Sequence, residues 1–279
     1  MSSARVRVEL SNRAENVPMV RQVLGGFAAA AGIPQADLHD MSLALSEACN
    51  NASLHAYGGA EGPLEVELHT SPAAVFARVR DWGVGLTLPI DSTPEFPADV
   101  EGGLAGLGLP MILGLADSVR LSTPDGGGTA VEMVFPRGAR DCGQLASPPG
   151  HTEPLGIVPG QLASTVALEM TPPGVAKEVL PRVLRGVASR AHFSVTRVEE
   201  VLRIAALPLT DAPHWAESGR VQARVVDDTG VLELSIGPMS AEDVLELETA
   251  ARRLAPGFIG TVRSAPATDQ LVLRLSRSA

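Results

Sequence analysis

Apolar positions along the first 136 residues switch between two periods. Val6, Val8 and Leu10 alternate with charged neighbours, the period of a half-buried strand. Val20, Val23, Leu24, Phe27 and Ala31 then fall at helical spacing and predict one buried stripe, which Ile33-Pro34 ends. A second helix is expected from about Gln35 to Ala56, with Leu38, Met41, Leu45 and Ala52 on one side and Gly58-Gly59 closing it. Residues 64–68 and 75–79 read as a strand hairpin. A short helix over 109–116 and strands over 119–122 and 129–135 follow, with Asp125-Gly126-Gly127-Gly128 as the turn between the strands. The pattern predicts one α/β unit over 1–136.

Residues 137–163 lose all periodicity and gather Pro148, Pro149, Pro154 and Pro159 among Gly and Ser, the composition of a linker. Beyond it the pattern recurs. Shifted by 160 positions, Arg5–Gly59 overlies Thr165–Gly219 without a gap, setting Val23-Leu24 on Val183-Leu184, Gly26 on Gly186 and Gly59 on Gly219. Further on, Val75, Ala77 and Val79 correspond to Leu232, Leu234 and Ile236. Residues 164–279 are therefore expected to be a degenerate repeat of the same fold; the alternative is coincidental amphipathicity of two helix pairs. The second copy lacks polar residues of the first. Leu207 stands at the place of Glu47, Asp211 at that of Asn51 and Pro238 at that of Asp81. Pro208 is expected to break its helix.

Composition narrows the class. A 45% hydrophobic and 19% charged chain can form a sizeable core. A formal net charge of −10 argues against a nucleic-acid surface. The first residues have no apolar signal region, and no apolar run approaches the ~20 residues of a membrane span. Cys49 and Cys142 have no metal-ligand spacing, so a reducing cytoplasm is the expected setting.

Three islands carry candidate chemistry. Glu47 and Asn51 stand four apart on a helix and share a face. A carboxamide oxygen suits Mg²⁺, which keeps few protein ligands beside water and phosphates, and a carboxylate one turn earlier can take a proton. Read alone, the pair is equally a solvated helix face. Asp81-Trp82-Gly83-Val84-Gly85 ends an apolar strand. Its carboxylate can accept from an exocyclic amine while Gly83 and Gly85 let the backbone approach a base, though Asp and Gly also make plain turns. Gly102-Gly103-Leu104-Ala105-Gly106-Leu107-Gly108 precedes a helix, where free amides form an anion site; the alternative is a mobile loop. Thr129 enters a strand after three glycines and can present its hydroxyl to the same base. Arg21 on the first long helix is a solvated charge or a partner contact.

In this order the islands resemble the N box and two glycine boxes of the GHKL ATPase superfamily. Leu43-Ala44-Leu45-Ser46-Glu47-Ala48, Asn51-Ala52, His55-Ala56-Tyr57 and Gly106-Leu107-Gly108-Leu109-Pro110 look like bacterial anti-sigma factor/serine kinases. The resemblance implies a GHKL, or Bergerat-type, ATP-binding fold: an α+β sandwich with an antiparallel-rich sheet covered by helices, here duplicated. It implies Mg²⁺ and ATP as ligands. Glu47 would be the catalytic base, Asn51 the Mg²⁺ ligand and Asp81 the adenine reader; Gly83, Gly85, Gly106 and Gly108 would shape the pocket, with Thr129 at the adenine edge. It implies serine/threonine phosphorylation of an anti-anti-sigma partner and capture of a sigma factor. Family members pair as dimers, so the second copy would make an internal pseudo-dimer. One departure stands out: Leu86–Ala105, the lid region, contains four carboxylates and no Lys or Arg. Phosphoryl transfer commonly uses a cation, so a nucleotide-gated sequestration module without kinase activity is the alternative.

Overall fold

Alternation over Arg5–Ser11 gives the strand β1, whose Val6, Val8 and Leu10 are fully buried. A computed structural model describes residues 3–85, 108–137, 155–157, 159–210, 219–228, 230–254, 259–260, 263–265 and 268–276. The first helical stripe becomes α1 (Val17–Ala31), stopped by Gly32 in the left-handed region at φ 64°. The second becomes a short 3₁₀ turn at Gln35–Asp37 followed by α2 (Leu38–His55). The hairpin is β2 (Pro63–Thr70) and β3 (Ala74–Asp81). Then come α3 (Gly108–Leu115), β4 (Ser118–Ser122) and β5 (Ala130–Pro136).

A similar succession follows: β6 (Thr165–Thr171), α4 (Gly174–Arg190), α5 (Val195–Thr210), β7 (Val221–Asp228), β8 (Val231–Gly237) and α6 (Ala241–Leu254), then β9 (Ile259–Gly260), β10 (Arg263–Ala265) and β11 (Thr268–Ser276). α5 runs through Pro208, so the expected break does not occur. The reason is packing. Pro208 is buried, and among the described residues the helix absorbs the one lost amide bond and the clash with the carbonyl a turn earlier through its packing on the core.

Among the described residues the strands form one antiparallel sheet in the order β10-β11-β8-β7-β6-β1-β2-β3-β5-β4, with β9 beside β11. The two halves meet edge to edge at β1 and β6, where Val8 faces Leu168. Above that seam α1 lies on α4 so closely that a Cβ on Gly26 would come 2.7 Å from the carbonyl of Glu178. The helices cover one face, and the apolar rows of the strands bury against them; each fully buried Val or Leu contributes about 1.5–3 kcal/mol.

The other face carries charge. Arg7 Nε donates to Glu65 at 2.7 Å, both buried. Glu9 accepts the backbone amide of Leu155, and Arg224 of β7 donates to the carbonyl of Gly156 at 3.1 Å. Ile157 and Leu162 pack on Ala167. The chain just before β6 thus lies over the seam, tied to a strand of each half. None of the described helices is long and apolar enough to cross a membrane.

Candidate functional site

α2 turns Met41, Ala44, Leu45, Ala48 and Ala52 into the core. Glu47 and Asn51 fall on the flank of that stripe, half-buried and one turn apart. α3 packs across α2 and brings Gly108 to this flank. A Cβ on Gly108 would sit 2.9 Å from Asn51 Oδ1 and 3.3 Å from Glu47 Oε2. Two islands some sixty residues apart in sequence are therefore in van der Waals contact, with Gly108 of α3 facing a carboxamide and a carboxylate. Glycine is required at that contact because any side chain would displace Asn51.

Asp81 ends β3 with its carboxylate buried. Its Oδ1 accepts the amides of Gly83 at 2.9 Å and Thr129 at 3.1 Å. Burial raises its pKa above the usual aspartate value; the amides of Gly83 and Thr129, the Thr129 hydroxyl and nearby Arg80 oppose the rise. The loop after it is held from two sides. On the α2 side, the amide of Val84 donates to Ala56 O at 2.9 Å, and a Cβ on Gly83 would collide with that same carbonyl. The Tyr57 hydroxyl accepts the amide of Trp82 at 2.8 Å and donates to Pro63 O at 2.6 Å. Burial pushes that hydroxyl up to about 12, so it stays protonated. On the other side lies the β4–β5 turn. Gly128, at φ 79°, touches the Asp81 backbone with no room for a side chain.

Of the expected site residues, Glu47, Asn51 and Gly108 form one group, and Asp81, Gly83, Gly85 and Thr129 form another. Gly85 contributes through the Gly128 carbonyl, 3.3 Å from its would-be Cβ. Gly106 and the lid region lie outside the described residues. Arg21 is exposed on α1 and lines an open cleft with His39 and Arg182, away from both groups. Cys49 is buried and its thiol is pushed up to about 12, which makes it inert. Sequence reasoning missed the parts of Tyr57 and Arg80. Tyr57 is the only tyrosine of the chain and precedes Gly58-Gly59, and Arg80 directly precedes Asp81; those were the signals.

This arrangement is a helix face able to hold a hard cation and a proton acceptor, a helix glycine facing it, and a buried carboxylate at a strand end. Residues 10–135 match the histidine kinase-like ATPase domain family. Within it, the chain is 30% identical over 137 residues to an anti-sigma F factor of Pasteuria penetrans, covering 48% of this chain and 91% of that protein. It is 31% identical over 128 residues to a serine-protein kinase RsbW of Listeria innocua, covering 44% of this chain and 82% of the relative. A serine-protein kinase RsbW of Bacillus mycoides matches at 27% over 127 residues. The chain belongs to this family of ATPase-domain anti-sigma factors and serine-protein kinases.

Proposed function

We propose that residues 1–136 bind Mg-ATP and phosphorylate a serine or threonine of a small anti-anti-sigma protein, in a switch that also engages a sigma factor. The observation that carries this reading is the contact of Gly108 with both Glu47 and Asn51. The residues fit the ligand. Asn51 Oδ1 would hold Mg²⁺, the amides at the start of α3 would face the phosphates, and Asp81, with Oδ1 already engaged, would offer Oδ2 to the adenine amine. The bound nucleotide supplies the phosphoryl group; Glu47 takes the proton of the attacking hydroxyl. The test is incubation of the full chain with Mg-ATP and an anti-anti-sigma protein, followed by intact-mass analysis. A gain of one phosphoryl group on the partner is the expected result. The lid sequence, acidic and without Lys or Arg, supports the second reading, gated sequestration: stable nucleotide-dependent capture of the partner with no mass gain would select it.

The same reading extends to residues 164–279, which we propose are a degenerate copy without a nucleotide site, acting as an internal pseudo-dimer partner. Support comes from the contacts at the seam once each residue is matched with the one 160 positions later. Val8 faces its own counterpart, Leu168, while Arg7 faces Glu169, the counterpart of Glu9, and Glu9 faces Ala167, the counterpart of Arg7. Above it, Gly26 abuts Val179, the counterpart of Met19, and Met19 abuts Gly186, the counterpart of Gly26. Reciprocal swapping of this kind is what a two-fold, isologous interface produces. A tethered partner at millimolar effective concentration outcompetes a second chain. Light scattering with calorimetry should therefore give a particle of 29.0 kDa binding a single nucleotide. A stable homodimer or two nucleotides per chain would overturn it.

A further inference from the structure

Arg80 is 1% exposed although it lies on the charged face of the sheet, away from the helices. It is the residue of β3 before Asp81 and stands opposite Ala130 of β5. Its Nη2 donates to the carbonyl of Asp125 at 3.1 Å, in the turn between β4 and β5. Its guanidinium carbon lies 4.6 Å over the ring of Trp82. One side chain thus grips both loops that surround the Asp81 carboxylate.

The turn needs a grip. Gly126, Gly127 and Gly128 hold φ of 93°, 83° and 79°, conformations glycine adopts without strain but also leaves readily, at maximal entropic cost to order. Within the turn, the amide of Gly127 donates to Pro124 O at 3.0 Å. Its far end delivers the Thr129 amide to Asp81 Oδ1. If the turn drifts, Asp81 loses one of the two amides that orient it. An arginine suits this place because a planar guanidinium can stack on an indole and still donate in its own plane; a lysine can do one or the other. Burial lowers the pKa of Arg80, yet a guanidinium remains charged at any working pH.

We propose that Arg80 is a positioning residue for purine recognition: by anchoring the Pro124–Gly128 turn and stacking on Trp82, it holds the Thr129 amide and the Asp81 carboxylate in the orientation that reads the base. The inference rests on the nucleotide reading of this site and deepens it at the base end only. The contacts described for Arg80 run to the β4–β5 turn and to Trp82, at the base end, and Glu47, Asn51 and Gly108 form the other group.

That separation supplies the test. Binding of Mg-ATP and of Mg-tripolyphosphate, which has the phosphates but no base, is measured by calorimetry on the full chain and on Arg80→Met and Arg80→Lys. For Arg80→Met the Kd for Mg-ATP should rise on the order of tenfold, the effect of one disturbed charge-assisted contact, while that for Mg-tripolyphosphate stays unchanged. Arg80→Lys should fall between Met and the wild type for ATP and again leave tripolyphosphate unchanged, and it serves alone if Arg80→Met does not fold. Unchanged ATP affinity in the folded variants overturns the inference. So does equal weakening of both ligands, which is the signature of a general structural role. A wild-type chain that binds neither ligand overturns the nucleotide reading itself, and the inference with it.

Discussion

Glu47→Gln should cut phosphoryl transfer steeply while leaving nucleotide binding nearly intact, and Asp81→Asn should weaken nucleotide binding. Glutamine keeps the shape and half-burial of Glu47 on α2 and keeps contact with the start of α3. What it loses is the ability to take a proton, and a positioned general base contributes about 10²–10⁴ in rate. Initial rates of partner phosphorylation should fall by that factor, with the Kd for Mg-ATP changed little. Asp81→Asn retains an Oδ1 that can accept the amides of Gly83 and Thr129, so the loop should keep its shape. The charge is gone, and the outward atom becomes a donor or a weaker acceptor. A charge-assisted hydrogen bond of this kind is worth about 1.5–3 kcal/mol, so the Kd should rise roughly 10- to 100-fold. Full kinase activity in Glu47→Gln would remove Glu47 from the role of base. Unchanged affinity in Asp81→Asn would remove Asp81 from recognition of the base.

The two glycines at the α1–α4 crossing should respond oppositely to alanine. Both stand inside helices, where replacing glycine by alanine gains about 1 kcal/mol of propensity. At Gly26 the new methyl meets backbone, the Glu178 carbonyl and the Val179 Cα, each at 2.7 Å. Backbone cannot move aside without separating the helices, and overpacking of this kind costs about 1–3 kcal/mol or more. At Gly186 the methyl meets the Met19 thioether end, Cε at 2.9 Å and Sδ at 3.4 Å. Methionine has three rotatable bonds and can swing away. Gly186→Ala should therefore be neutral to stabilising. Gly26→Ala should lower Tm by several degrees, taking ~2–4 °C per kcal/mol for a chain of this size. Thermal melts of the two variants decide it. Equal destabilisation would mean that the crossing does not sit where Gly26 places it.

Much of this fold is legible in the sequence because local periodicity has a local cause. Alternation at Val6, Val8 and Leu10 can only present one apolar face if the segment is a strand, and the stripe from Val20 to Ala31 only as a helix. Glu47 and Asn51 could be put on one face of α2 by counting, since four residues make about one turn. Asp81 was legible as a strand end followed by glycines. Other features were not, since they depend on which distant segments are buried together. Tyr57 and Arg80 clamp the Asp81 loop through backbone carbonyls and amides, and such partners have no side-chain signature. Pro208 reads as a breaker in any window of sequence, yet α5 runs through it with the proline buried against the core.

The amino-acid sequence by itself determined the element types, the three polar islands and the recurrence of the apolar pattern 160 positions on, because each is a matter of spacing along one chain. The tertiary structure alone decided that Gly108 of α3 lies against Glu47 and Asn51, that Leu155–Ile157 lies over the seam on Glu9 and Arg224, and that β1 and β6 join with Val8 facing Leu168. Register between distant strands is chosen by the surfaces that become buried together, and a shift of a single residue would turn the apolar row of β6 away from the helices and its Glu169 toward them.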